Sequence, residues 1–128
     1  MELLTVISML ALVEFSVFTG LVGYARGKYN VPAPAVTGNE MFERYYRVQC
    51  NTLEQLILFF PGLWAFGYFV GQYWAAGLGV VFLLGRALYA FGYIKDPARR
   101  AAGFLLSIFP CWILVLGGLI GASISLLT

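Results

Sequence analysis

The residues best suited to chemistry lie in two short runs. Arg47, Asn51 and Glu54 are spaced i, i+4, i+7, and Arg86, Tyr89 and Tyr93 are spaced i, i+3, i+7. On an α-helix each set falls within about 60° of arc, so each makes one polar stripe. Ionisable groups within a membrane span cost roughly 2.5 to 3.5 kcal/mol to insert, so they face a bundle interior or a polar cavity. Together with Arg26, Arg99 and Arg100, the two stripes would line a cationic, hydroxyl-bearing crevice suited to a small anionic ligand. Glu54 adds the opposite sign, which a ligand carrying both carboxylates and an ammonium group requires. A second reading of the same residues stays open at this point. In it Glu54 and Arg86 form an ion pair that only fixes packing, the basic residues meet lipid head groups, and the tyrosines mark an interface.

These stripes need helices to carry them, and the composition supplies helices of one kind. The 128 residues are 61% hydrophobic and 11% charged, against about a quarter charged in soluble domains. Four spans of about 20 residues with three short connections use the whole length, giving a single domain over residues 1–128. The expected class is an all-α membrane protein, a bundle of four transmembrane helices. Helix 1 is expected from Leu3 to Tyr24, followed by a Pro, Gly and Asn loop from Asn30 to Asn39. Helix 2 starts near Glu40 with a charged, amphipathic segment and turns apolar from Leu53 to Val70. A short connection, Gly71 to Ala76, leads to helix 3 over Gly77 to Ile94, and helix 4 runs from Ala101 to about Leu127.

All eight basic residues lie in the first and third loops or in helix segments leading into them. The positive-inside rule then puts both loops in the cytoplasm and both termini on the opposite side of a multi-pass protein. The net charge of +2 is a topology signal, and nothing points to nucleic acid. Glu2, in place of a basic cluster, precedes the first apolar stretch, which is expected to be a retained helix and not a cleaved signal. Two cysteines without metal-ligand spacing and no histidine argue against a metal site, a disulfide framework and histidine acid-base chemistry. Gly67 with Gly71 and Gly117 with Gly121 have the spacing that brings helix backbones together in lipid. Trp64, Trp74, Trp112, Tyr68 and Tyr73 are expected at the lipid or interfacial surface.

The segment FERYYRVQCNTLE, Phe42 to Glu54, resembles the helix 2 signature E-R-x-x-R-x-Q-x-N-x-x-E of the MAPEG family, membrane-associated proteins in eicosanoid and glutathione metabolism. GRALYAFGY, Gly85 to Tyr93, resembles the family's helix 3 signature. DPARRAAGFLLS, Asp96 to Ser107, resembles its third loop and the start of helix 4. The resemblance covers essentially the whole chain and is nearest to microsomal glutathione transferases of types two and three, with leukotriene synthase a near relative. It implies a homotrimer of four-helix subunits that binds glutathione as co-substrate between neighbours. Arg47, Asn51, Glu54, Tyr89 and Tyr93 fall at glutathione-binding positions, with Glu54 on the ammonium group. Arg26 and Gln49 match positions supplied by the neighbouring subunit. Gln49 lies about 160° round helix 2 from Arg47, in keeping with that division. Arg100 falls on the arginine that stabilises the thiolate, a role Arg99 takes if the loop register differs by one. Gln55 and Gly27 depart from leukotriene synthase, which has a tyrosine and a second arginine there, and so put an eicosanoid substrate in doubt.

The function implied is detoxifying conjugation of glutathione to lipophilic electrophiles from the bilayer, with reduction of lipid hydroperoxides as a possible second activity. A non-catalytic lipid-binding scaffold of the same family is one alternative. A small proton-coupled multidrug exporter is another, suggested by Glu14 in mid-span. Glu14 is otherwise expected as a hydrogen-bonding group in the core of the trimer.

Overall fold

The structure, a computed structural model, describes all 128 residues. Four long helices follow one another: α1 (Glu2–Tyr29), α2 (Glu40–Phe69), α3 (Gln72–Lys95) and α4 (Arg100–Leu127), the last preceded by a 3-10 turn, Pro97–Arg99. They run up, down, up, down. At one end the amino terminus lies 3.3 Å from Gln72 Oε1, and at the other Arg44 Nη1 donates to Ile94 O at 3.0 Å. Three helical segments, Glu2–Tyr29, Gln72–Lys95 and Pro97–Leu127, are long and apolar enough to cross a membrane. α2 has the length, 30 residues, but its first half carries Glu40, Glu43, Arg44, Arg47 and Glu54. α2 packs against α1, α3 and α4.

Local signals explain the connections. α1 extends past Tyr24 to Tyr29 and stops at Asn30, whose left-handed conformation (φ 56°) lets its N–H reach back to Arg26 O, a common helix ending for Asn or Gly. Asn39 caps α2 by accepting from Phe42 N at 3.0 Å. The expected connection over residues 71–76 shrinks to Val70 and Gly71, because Ala75 N already donates to Gly71 O at 3.1 Å and closes the first turn of α3. Asp96 accepts from Ala98 N at 3.1 Å, and Pro97 opens the turn that aims α4.

Glycine sets how closely the helices approach. A Cβ at Gly85 would stand 2.7 Å from the backbone carbon of Leu106, and one at Gly103 would strike the Tyr89 backbone, so α3 and α4 meet main chain to main chain. Gly117 receives the ring of Phe66, and Gly67 receives Leu4. The largest apolar core gathers Leu4, Ile7, Phe59, Leu63, Phe82 and Leu114, with the Phe59 and Phe82 rings stacked at 4.0 Å. Outside, Tyr68, Tyr73, Trp74 and Trp112 are exposed as expected, but Trp64 is half-buried and donates to Ser8 Oγ at 3.0 Å. Its indole N–H finds a partner inside the bundle, which an interfacial position would leave to water or lipid.

Candidate functional site

α2, α3 and the start of α4 enclose a crevice of about 520 Å³ at the end of the bundle that carries the first and third loops. One wall is polar: Arg47 and Asn51 from α2, Tyr89 and Tyr93 from α3, and Arg100 at the first position of α4. The other is apolar, made by Phe104 and Leu105 one turn further along α4. The tyrosine rings lie nearly parallel at 5.5 Å, so the i, i+4 spacing on α3 presents them as a stacked pair. Arg100 adds a cation at a helix N-terminus, where unpaired backbone N–H groups already favour an anion.

Glu54 does not line the crevice but accepts from Arg47 Nη1 at 3.4 Å, with both side chains half-exposed. The Glu54–Arg86 pair that the residues left open is not formed. Arg86 is fully buried behind the polar wall, donates from Nη2 to Asn51 Oδ1 at 2.8 Å, and lies over the Tyr89 ring at 4.3 Å. Of the two adjacent arginines, Arg100 lines the crevice, whereas Arg99 Nε stands 4.0 Å from Asp96 Oδ2.

Two residues of the sequence-derived set lie elsewhere. Arg26 folds onto its own loop, donating to Val31 O at 3.2 Å and Ala35 O at 2.7 Å, with its guanidinium 4.9 Å over the Phe42 ring. Gln49 points to α1, where Nε2 donates to Thr19 Oγ1 at 3.4 Å. Within one chain, then, five residues of the set line the crevice, Glu54 reaches it through Arg47, and Arg26 and Gln49 stand outside it. The apolar wall was not singled out from sequence. Its only signal there is the position of Phe104 four residues after Arg100, on the same helix face, with Leu105 next to it. Arg44 also has a role the spacing did not suggest: it donates to Ile94 O and Lys95 O and so caps the end of α3 that carries Tyr93. Both cysteines are free, and Cys111 Sγ lies 4.0 Å from Gln55 O.

Comparison with known proteins identifies the family. The family model described as MAPEG matches residues 3–120. An uncharacterised protein of Synechocystis is 51% identical over 114 residues, covering 89% of this chain and 83% of its own. Microsomal glutathione S-transferase 2 of Homo sapiens is 41% identical over 125 residues, covering 98% of this chain and 85% of its own. Leukotriene C4 synthase of Bos taurus is 35% identical over 113 residues, covering 88% and 75%. The match spans all four helices and both polar stripes, and it removes the ground for a small multidrug exporter. The chain belongs to the MAPEG family.

Proposed function

We propose that the protein is a membrane-bound glutathione transferase whose crevice holds glutathione and whose apolar wall admits a lipophilic electrophile. One observation carries this reading: a wall of arginines, an amide and two tyrosines faces Phe104 and Leu105 across a single cavity. Glutathione has two carboxylates, an ammonium group and a thiol, and the crevice, with Glu54 held beside it by Arg47, offers partners for each. Arg47 and the α4 N-terminus suit the carboxylates, Asn51 and the tyrosines suit the peptide groups, and Glu54 suits the ammonium. Arg100 is the thiol-activating group. A free thiol titrates near pH 8.5 and reacts as the thiolate, so a permanently charged guanidinium beside it raises the reactive fraction at neutral pH. The thiolate then attacks the electrophilic carbon, a C–S bond forms, and the leaving group departs with the bonding electrons. With a lipid hydroperoxide, two glutathiones would give the disulfide, an alcohol and water.

The same reading includes a homotrimer of membrane-embedded four-span subunits, with loops one and three in the cytoplasm. Family resemblance and the exposed Arg47–Glu54 edge support it, because a neighbour bringing Arg26 and Gln49 would close that edge. The test is glutathione titration of the purified chain by calorimetry, followed by conjugation to a chlorodinitrobenzene acceptor and reduction of a lipid hydroperoxide. Saturable binding with turnover is expected. Binding without turnover on any acceptor would make the protein a scaffold, and no binding at all would end the glutathione reading.

A further inference from the structure

Arg86 is an unusual residue to find fully buried in an apolar bundle. Its Nη2 is bonded to Asn51, but Nε and Nη1 are buried without a partner. Orphaned buried donors cost about 1 to 3 kcal/mol each, and a buried charge with no counter-charge costs more. None of the four ion pairs in the structure involves Arg86. One turn along α2 from Asn51, on the same face, Gln55 Oε1 is also buried without a donor. Two donors, one acceptor and the hydroxyl of Thr52, which lies between Asn51 and Gln55 on α2, therefore stand unpaired over one stretch of the bundle.

The helix register brings a carboxylate to that depth. α1 and α3 run parallel, and their contacts keep step along the bundle. The amino terminus of Met1 meets Gln72, Ile7 packs over Gly79, and Phe18 shares a cluster with Tyr89 and Ala90. Seven residues on from Ile7 is Glu14, and seven residues on from Gly79 is Arg86. Seven residues are nearly two full helical turns, so Glu14 and Arg86 keep both the level and the facing of the Ile7–Gly79 contact. Glu14 is half-buried among Ile7, Ala11 and Phe18 on the inner side of α1, and it has no hydrogen bond or ion pair.

We propose that Glu14 is the counter-charge of Arg86, joined to it through a bound water that also serves Gln55, and that through Arg86 it positions Asn51 and Tyr89. Neither Glu14 nor Arg86 touches the crevice, so both act as positioning residues. With Glu14 in place, Arg86 is held where Nη2 fixes the Asn51 amide and the guanidinium plane supports the Tyr89 ring. Without it, Arg86 must find another acceptor or draw water into the core, and both wall residues lose their setting. The pairing stands on geometry alone. Its consequence for ligand binding rests on the glutathione reading above.

The experiment is a double-mutant cycle on the full chain in detergent, with Glu14→Leu, Arg86→Met and the two combined. Each single variant should lower Tm by about 5 °C or more, and the double variant should recover at least half of that loss, because it removes both charges together. Additive losses would overturn the pair. If Arg86→Met alone fails to fold, a folded double variant makes the same point, and an unfolded one counts against the pair. For the positioning step, the glutathione Kd should rise about tenfold in Glu14→Leu while kcat at saturating glutathione changes less than about threefold, and Glu14→Asp should restore much of the affinity. An unchanged Kd in Glu14→Leu would overturn the positioning role while leaving the pair to the stability cycle. A wild-type chain that binds no glutathione would refute the transferase reading instead, since the cycle reads the pair without it.

Discussion

The groove between α2 and α4 opens into a cleft at each end of the bundle, and the two clefts are built from opposite materials. At the end carrying the charged loops, Arg47 and Asn51 face Arg100 and Phe104 around about 520 Å³. At the other end Phe66, Phe69 and Val70 face Gly117, Ile120, Gly121 and Ile124 around about 460 Å³. The clefts are of similar size and share the same two helices, so packing geometry alone does not make a site. What distinguishes the first is a set of polar side chains held by specific partners: Arg47 with Glu54 at the exposed edge, and Asn51 with Arg86 behind the wall. The second cleft holds only apolar side chains and close-packed glycine, which suits helix association in lipid. Function in this fold therefore resides in the side chains set on one end of a nearly uniform scaffold.

The largest effect should come from the residue that would touch the reacting sulfur. Arg100→Ala is expected to lower kcat/KM for chlorodinitrobenzene conjugation by about 100-fold or more, the scale of losing one preorganised electrostatic group. Arg100 is exposed and makes no hydrogen bond or ion pair in the structure, so Tm should stay unchanged. Equal activity in the variant would shift the thiol-activating role to Arg99 or away from this loop. Next in size is Arg47→Ala, which removes a crevice cation and leaves Glu54 without its partner. Glutathione Kd should rise by about 10- to 100-fold, the range of one or two charge-assisted hydrogen bonds, as calorimetry would show. An unchanged Kd would mean that the polar wall is not where glutathione binds.

Much of this contrast is legible in the sequence. The apolar runs and the loop punctuation placed four helices, and the i, i+4, i+7 spacing put Arg47, Asn51 and Glu54 on one stripe facing Tyr89 and Tyr93. What the spacing did not carry was which stripe residue meets which. That depends on the relative height of α2 and α3, which the two-residue turn at Val70 and Gly71 sets. The turn read as six residues in sequence, because a helix start without a side-chain cap looks like loop. So Arg86 meets Asn51 and not Glu54. The resemblance gives Arg26 to a neighbouring subunit's site, and within one chain its guanidinium bonds loop carbonyls. The left-handed turn at Asn30 and the turn closed by Ala35 N on Pro32 O lead the loop back past Arg26. Nothing in the sequence beyond their position marks Phe104 and Leu105, because an apolar wall of a site and a lipid-facing surface have the same composition. Glycine spacing was partly informative. Gly117 and Gly121 do bring α4 against α2, but the closest approach, at Gly85 and Gly103, has no such spacing within one helix.

The smallest effect on binding should come from the apolar cleft, and it makes the comparison sharpest. A Cβ at Gly117 would lie 2.5 Å from Cε2 of the Phe66 ring, so Gly117→Ala forces that ring to turn or the helices to part. Overpacking of this kind costs about 1 to 3 kcal/mol, and Tm should fall by several degrees in a detergent melt. The polar cleft lies at the far end of the same two helices, and Arg47, Asn51 and Arg100 make no contact with Phe66. Glutathione Kd should therefore stay within about twofold of wild type, as expected of sites with no shared partners. A large loss of affinity in Gly117→Ala would show that α2 and α4 move as one rigid pair, coupling the two clefts through the spacing of their backbones. The polar end would then owe its geometry to glycine at the other end as well as to its own charges.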